Sequence, residues 1–159
     1  MKKLKLYIET SGWNFYYADD VPELKEVTKA FFSLVEKGKY EIYISRVVID
    51  EIMKATKEKQ KQLSDLINRC RPLELEIKEE AKELAEIYIK RKIVPANKIE
   101  DAMHVAIATV WEMDALITWN YKHMANLRRS DLFYGVNLEN GYGKKLELVT
   151  PMEVMDYEI

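Results

Sequence analysis

The chain has 159 residues, enough for one domain that buries a core without disulfide or metal staples. Its balance of 48% hydrophobic and 33% charged residues excludes a disordered chain, and a net charge of −2 excludes a protein that coats nucleic acid by bulk electrostatics. A single cysteine excludes an internal disulfide, and an apolar start interrupted by Lys5 and Glu9 is neither a signal peptide nor a membrane span, so a reducing cytoplasm is the expected compartment.

Leu4 to Ile8 predicts a first strand, with Leu4, Leu6 and Ile8 on one face. Asp20 and Glu23 have the spacing of a capping box, opening a helix with Leu24, Val27, Phe31, Leu34 and Val35 on one stripe and its end near Gly38. Tyr40 to Ile44 predicts a second strand. Ser45 is placed to cap the helix after it, which carries Val48, Ile49, Ile52 and Met53.

The lysine-rich run KATKEKQKQ reads as a solvated helix face leading to Leu63, Leu66, Ile67 and a buried Cys70, with Pro72 as the stop. Leu73 to Ile77 is a short strand, and Ala81, Leu84, Ala85, Tyr88 and Ile89 mark another helix. Asn97 and Glu100 repeat the capping-box spacing before Ile99, Met103, Ala106, Ile107, Val110 and Trp111. Ala115 to Trp119 is an apolar run fit for a central strand. Residues 121 to 145 read as less regular, Leu146 to Val149 as a last strand, and Thr150, Pro151 and Glu153 as the start of a closing helix. Strands and helices alternate throughout, which predicts an α/β domain over 1–159 with a parallel sheet.

Ligands of open α/β sheets bind beyond the carboxyl ends of the strands. Glu9 follows the first strand and Asn120 the central one. Asp101 stands early on its helix, off the stripe of Ile99, Met103 and Ile107. Glu51 stands a turn and a half into the helix after the second strand. Four oxygen-bearing side chains from separate segments can thus meet in one crevice. Such a cluster suits Mg²⁺ or Mn²⁺, hard cations that relieve carboxylate repulsion and activate water against a phosphodiester.

Each residue also has a plainer role. Glu9 is a strand-end acid, Asp101 a charge favoured at a helix start, Glu51 a solvated helix acid and Asn120 a turn former. Thr10 and Ser11 either orient metal-bound water and phosphate or end the strand. Arg46, Lys122 and His123 either meet substrate phosphate or are exposed loop residues. His104 is a helix histidine of structural type or a partner of the acids. The aromatic run Trp13, Phe15, Tyr16 and Tyr17 stacks on bases, covers a partner contact or packs the core. No phosphate-binding loop or Rossmann glycine fingerprint occurs, and one cysteine with two histidines makes no usual structural zinc site.

The segments LYIETS, ISRVVIDEI, IEDAMHVAIA, ALITWN and VTPMEVM, in that order and spacing, resemble PIN domains along essentially the whole chain. The nearest group resembled is the VapC-like toxins of toxin–antitoxin pairs. The resemblance implies a PIN-like three-layer fold, with a central parallel sheet of about five strands flanked by helices. It also implies a metal-dependent endoribonuclease using Mg²⁺ or Mn²⁺, an RNA substrate, a cognate antitoxin and a homodimer. The family's first three acids map onto Glu9, Glu51 and Asp101, and its fourth position onto Asn120 as a further metal and catalytic residue. Two of these depart from the pattern, because Glu9 and Asn120 stand where aspartate is usual. The longer Glu9 moves a metal outward, and Asn120 supplies an oxygen without charge. Asn120 therefore keeps open a degenerate scaffold that binds RNA or protein without cutting. A nuclease acting outside any toxin pair is a third possibility.

Overall fold

The computed structural model describes residues 2–157. Its centre is a sheet of β1 (Lys5–Ile8), β2 (Glu41–Ser45), β3 (Leu73–Leu75), β4 (Ala115–Ile117) and β5 (Glu147–Val149). All neighbours are parallel, in the order β3-β2-β1-β4-β5. Parallel strands require crossovers, and helices provide them: α1 (Thr10–Asn14), α2 (Pro22–Glu36), α3 (Arg46–Ile52), α4 (Lys57–Cys70), α5 (Glu79–Lys90), α6 (Ile99–Val110), α7 (Leu127–Glu139) and α8 (Pro151–Met155). A 3₁₀ turn at Phe15–Tyr17 extends α1. This is the α/β, PIN-like arrangement expected. No described helix is long and apolar enough to cross a membrane.

Strands covered on both faces should be apolar throughout. Leu6, Tyr7 and Ile8 of β1 and Leu116 and Ile117 of β4 are fully buried, with Trp13, Phe31, Phe32 and Tyr88 the large side chains around them. Tyr7 is the odd member, because it carries a hydroxyl into the middle of the sheet. The chain winds from β1 through β2 to β3 on one side, then restarts with β4 on the other side of β1. The direction of winding, though not of the strands, therefore reverses between β1 and β4, and it is beyond the carboxyl ends of strands at such a point that open α/β sheets take their ligands.

Several local expectations need correction. Asp20 does not cap α2. Pro22 takes the first helical position, for which its fixed φ is suited, so Val21 becomes the cap residue and offers no side-chain bond. The face of α2 that is fully buried carries Thr28, Phe31, Phe32 and Val35. Asn97 does not cap α6 either. A turn from Lys98 N–H to Pro95 O delays the start, and Lys98 occupies the cap position. The buried residues of α6 include Ala102, His104 and Val105 through Thr109, while Ile99 is exposed. Cys70 is half-buried, not buried. Ser45 caps α3 and Thr150 forms the full capping box of α8, as expected.

Within 121–145 the structure has a regular helix, α7, capped by Asn126. Its apolar residues do not share one stripe: Phe133 and Val136 are buried, whereas Leu127, Leu132 and Leu138 are exposed. It docks partly through polar groups. Tyr88 Oη donates to Asn137 Oδ1, and Asn137 Nδ2 donates to Thr109 Oγ1 at 3.2 Å. Hydrophobic periodicity cannot register a helix anchored in that way.

Candidate active site

Glu9 is the residue at which β1 becomes α1. It caps α1, accepting the Ser11 backbone N–H at 3.0 Å, and the Ser11 hydroxyl donates to the same Oε1. Helix α1 can follow so closely because residue 12 is glycine. A Cβ there would meet Ile8 Cγ2 at 2.8 Å and the Ile117 carbonyl at 3.3 Å. Ser11 Oγ also accepts the Trp119 N–H at 2.9 Å, which ties α1 to the segment after β4.

Glu51 approaches from α3. Its Oε1 accepts the Thr10 hydroxyl at 2.6 Å and lies 2.6 Å from His104 Nε2 of α6. Asp101 stands in the first turn of α6, and its Oδ2 accepts from Asn120 Nδ2 at 3.4 Å. Glu9, Glu51 and Asp101 all lie near enough to His104 to influence its charge.

The orientation of Asn120 follows from a simple constraint. The His123 backbone N–H points at its Oδ1 at 3.0 Å, and a backbone N–H can only donate. The atom facing Asp101 is therefore the amide nitrogen. Asn120 offers a donor to the acids, while the oxygen a cation would require is turned to His123.

The electrostatics separate the three acids. Burial pushes the Glu9 carboxyl above its ordinary range, with His104 and Ser11 only partly opposing it. Burial also raises Asp101, and the neighbouring Glu51 charge adds to this. Glu51 is pushed up by burial too, but the bond and charge of His104 outweigh it and hold the group low. His104 is disfavoured as a cation by burial, yet Glu51, Glu9 and Asp101 together raise it. No Lys or Arg forms an ion pair with Glu9, Glu51 or Asp101 among the described residues.

This donor set fits a hard divalent ion by chemistry. The carboxylates come from three segments, and the protein donors to each go to one of its oxygens. The side chains do not stand ready-made for coordination, since no three of the described His, Cys, Asp and Glu residues form a cation-holding group.

Arg46 is exposed and pairs with Asp50, one turn along α3. Lys122 is exposed, and its carbonyl accepts from Asn126 Nδ2 at 3.2 Å. The His123 imidazole is near enough to Asp101 to lower its pKa, and its buried Nδ1 has no partner. Of the aromatic run, Trp13 is core, donating to the Ile8 carbonyl at 3.0 Å, while Phe15, Tyr16 and Tyr17 are half-buried. Sequence reasoning overlooked Tyr7 and Thr118. Tyr7 Oη lies 2.7 Å from both His104 Nδ1 and Ser45 Oγ, and Thr118 Oγ1 accepts the Asn120 N–H at 2.9 Å. A phenol inside an otherwise aliphatic strand was the available signal for Tyr7.

No known family model matches the chain, and no curated protein matches it. Among solved structures it is similar to a chain of VapBC2 from Rickettsia felis, solved bound to a DNA fragment from their promoter. The TM-score is 0.55 and the identity 17%, covering 90% of this chain and 98% of the other. That likeness shows the fold, and it agrees with the PIN-like architecture on which the acids are placed.

Proposed function

We propose that the chain is a metal-dependent endoribonuclease of the PIN type, acting as the toxin of a toxin–antitoxin pair. The observation that supports this is that Glu9, Glu51 and Asp101, at the carboxyl-end side of the sheet, all lie near enough to His104 to act on its charge, with no Lys or Arg ion-paired to them among the described residues. These three would hold Mg²⁺ or Mn²⁺. A bound ion of this kind lowers the pKa of a water and neutralises charge on a phosphodiester. Thr10 and Ser11 fix the carboxylates of Glu51 and Glu9, and Asn120 fixes Asp101. Hydrolysis would leave a 3′-hydroxyl and a 5′-phosphate by family analogy. Likeness of fold to a VapBC2 chain supports an antitoxin partner, and the PIN resemblance supports a homodimer.

The test is cleavage of a panel of RNAs by the purified chain with Mn²⁺, repeated with chelator and with Asp101→Asn. Cutting that needs both the ion and Asp101 supports the assignment; equal cutting by the variant defeats it. One observation favours a non-cutting RNA- or protein-binding scaffold. Asn120 presents an amide N–H where a fourth acid is usual. RNA that is retarded on a gel but never cut, with either ion, would favour that alternative.

A further inference from the structure

The site continues inward from the acids through side chains that do not face solvent. Tyr7, Ser45 and His104 are each fully buried. Ser45 Oγ accepts the Val47 N–H at 3.2 Å and lies 2.7 Å from Tyr7 Oη. Tyr7 Oη lies 2.7 Å from His104 Nδ1, and His104 Nε2 lies 2.6 Å from Glu51 Oε1. Four elements contribute: β1, the end of β2, α6 and α3. Both ring nitrogens of a fully buried imidazole are thereby satisfied, which leaves the ring no second orientation of equal energy.

The direction of the chain at its outer end does not depend on the charge of the ring. Ionised Glu51 can only accept, so Nε2 donates to it. In the neutral ring, Nδ1 then accepts from Tyr7, whose oxygen accepts from Ser45. In the charged ring, Nδ1 donates to Tyr7. Either way, Glu51 Oε1 is committed to His104 and Thr10, and its other oxygen remains for a ligand.

We propose that His104 is a positioning residue for Glu51, and that Tyr7 and Ser45 set its orientation from inside the sheet. This rests on the assignment of Glu9, Glu51 and Asp101 as the metal-holding acids. Residues that orient a metal's ligands typically change affinity 10- to 100-fold when replaced.

Two substitutions of His104 separate positioning from simple packing. The amide nitrogen of glutamine lies about where Nε2 of histidine lies, and that of asparagine about where Nδ1 lies. His104→Gln therefore keeps a donor for Glu51, whereas His104→Asn keeps only the link to Tyr7. Calorimetric titration with Mn²⁺ alone should find His104→Gln within about threefold of the unmodified protein and His104→Asn at least about tenfold weaker. Both should lose similar thermal stability. Equal Mn²⁺ affinity in the two variants would overturn the proposal, because a merely structural histidine predicts that result. Tyr7→Phe removes one buried oxygen and is the safeguard should His104→Asn not fold; it should weaken Mn²⁺ binding several-fold, and unchanged affinity counts against the proposal. Metal-free crystal structures give a readout independent of the ion: Glu51 stays beside Thr10 in His104→Gln and leaves it in His104→Asn. If the unmodified protein takes up no Mn²⁺, the metal assignment fails, while those crystal structures still decide whether His104 holds Glu51.

Discussion

The two ends of the central sheet treat their acids in opposite ways. At the amino end, Asp114 precedes β4; its Oδ2 accepts the Lys5 backbone N–H at 2.8 Å and its Oδ1 meets Lys144 Nζ at 2.7 Å. Burial pushes Asp114 up, but those partners outweigh it and hold the carboxyl below its ordinary range. At the carboxyl end, Glu9 and Asp101 are pushed up by burial; Lys98 eases Asp101 by its charge, but no lysine or arginine forms an ion pair with either among the described residues. Burial alone thus does not mark a functional acid. Half-buried Asp114 has its cation beside it, whereas buried Glu9 and half-buried Asp101 have no ion-paired lysine or arginine among the described residues.

The sharpest way to break this contrast is Asp101→Asn. RNA cleavage with Mn²⁺ should fall by on the order of 100-fold or more, exceeding the loss typical of residues that only orient ligands, with the far-UV dichroism unchanged. Retained cleavage would erase the distinction between the two ends.

Next in size is Asn120→Asp. A carboxylate replaces the N–H that faces Asp101, so the acids repel more strongly and require a cation more. Mn²⁺ affinity should rise about tenfold, since ligand charge count tunes affinity, and metal-free stability should fall. Weaker Mn²⁺ binding in this variant would show that the Asn120 donor matters more than added charge.

Glu9→Gln should act in the other direction on stability. The folded protein holds a proton on Glu9 more tightly than the unfolded chain does, so stability falls as pH rises through that raised value. At neutral pH without metal, keeping a carboxyl in that buried place costs stability relative to the unfolded chain, and glutamine removes that cost. A gain of about 1 kcal/mol would raise Tm by ~2–4 °C, and the gain should vanish in acid. A lower Tm at neutral pH would mean that Ser11 compensates the charge fully.

Lys144→Met is the smallest. The Asp114–Lys144 pair is partly exposed, so its loss should lower Tm by about 1–2 °C and leave cleavage untouched. Asp114 has a lowered folded pKa, so its contribution is present above the ordinary carboxylate range and lost as pH falls through the lowered value. The Tm difference should close over that same acidic window. A large cleavage defect would mean that the two ends are coupled.

Local rules made the strands and several caps legible. Apolar runs gave β1, β2 and β4, and Ser45, Thr150 and Glu153 announced their helices. The placing of Glu9 and Asn120 on one edge needed only the knowledge that parallel strands share a direction. Distances between segments were illegible. Tyr7 and His104 stand 97 residues apart, and His104 and Glu51 stand 53 apart, so periodicity could not pair them. Arg46, which follows β2 and reads in the sequence either as a phosphate contact or as an exposed loop residue, is the exposed first residue of α3 and pairs with Asp50 one turn on, a partner that helix spacing made legible. Helix α7 went unseen because a buried Asn137, not an apolar stripe, secures part of it.

Gly12 carries a consequence for how this protein can vary. Any side chain there would lever the first short helix away from Ile8 and Ile117. Thr10 and Ser11 ride on that helix, so the hydroxyls serving Glu51 and Glu9 would shift together. A buried position with no acid and no hydroxyl of its own should therefore be among the least tolerant in a mutational scan. Its intolerance would show as lost cleavage in protein that is still folded, two carboxylates disarmed by a single added methyl group.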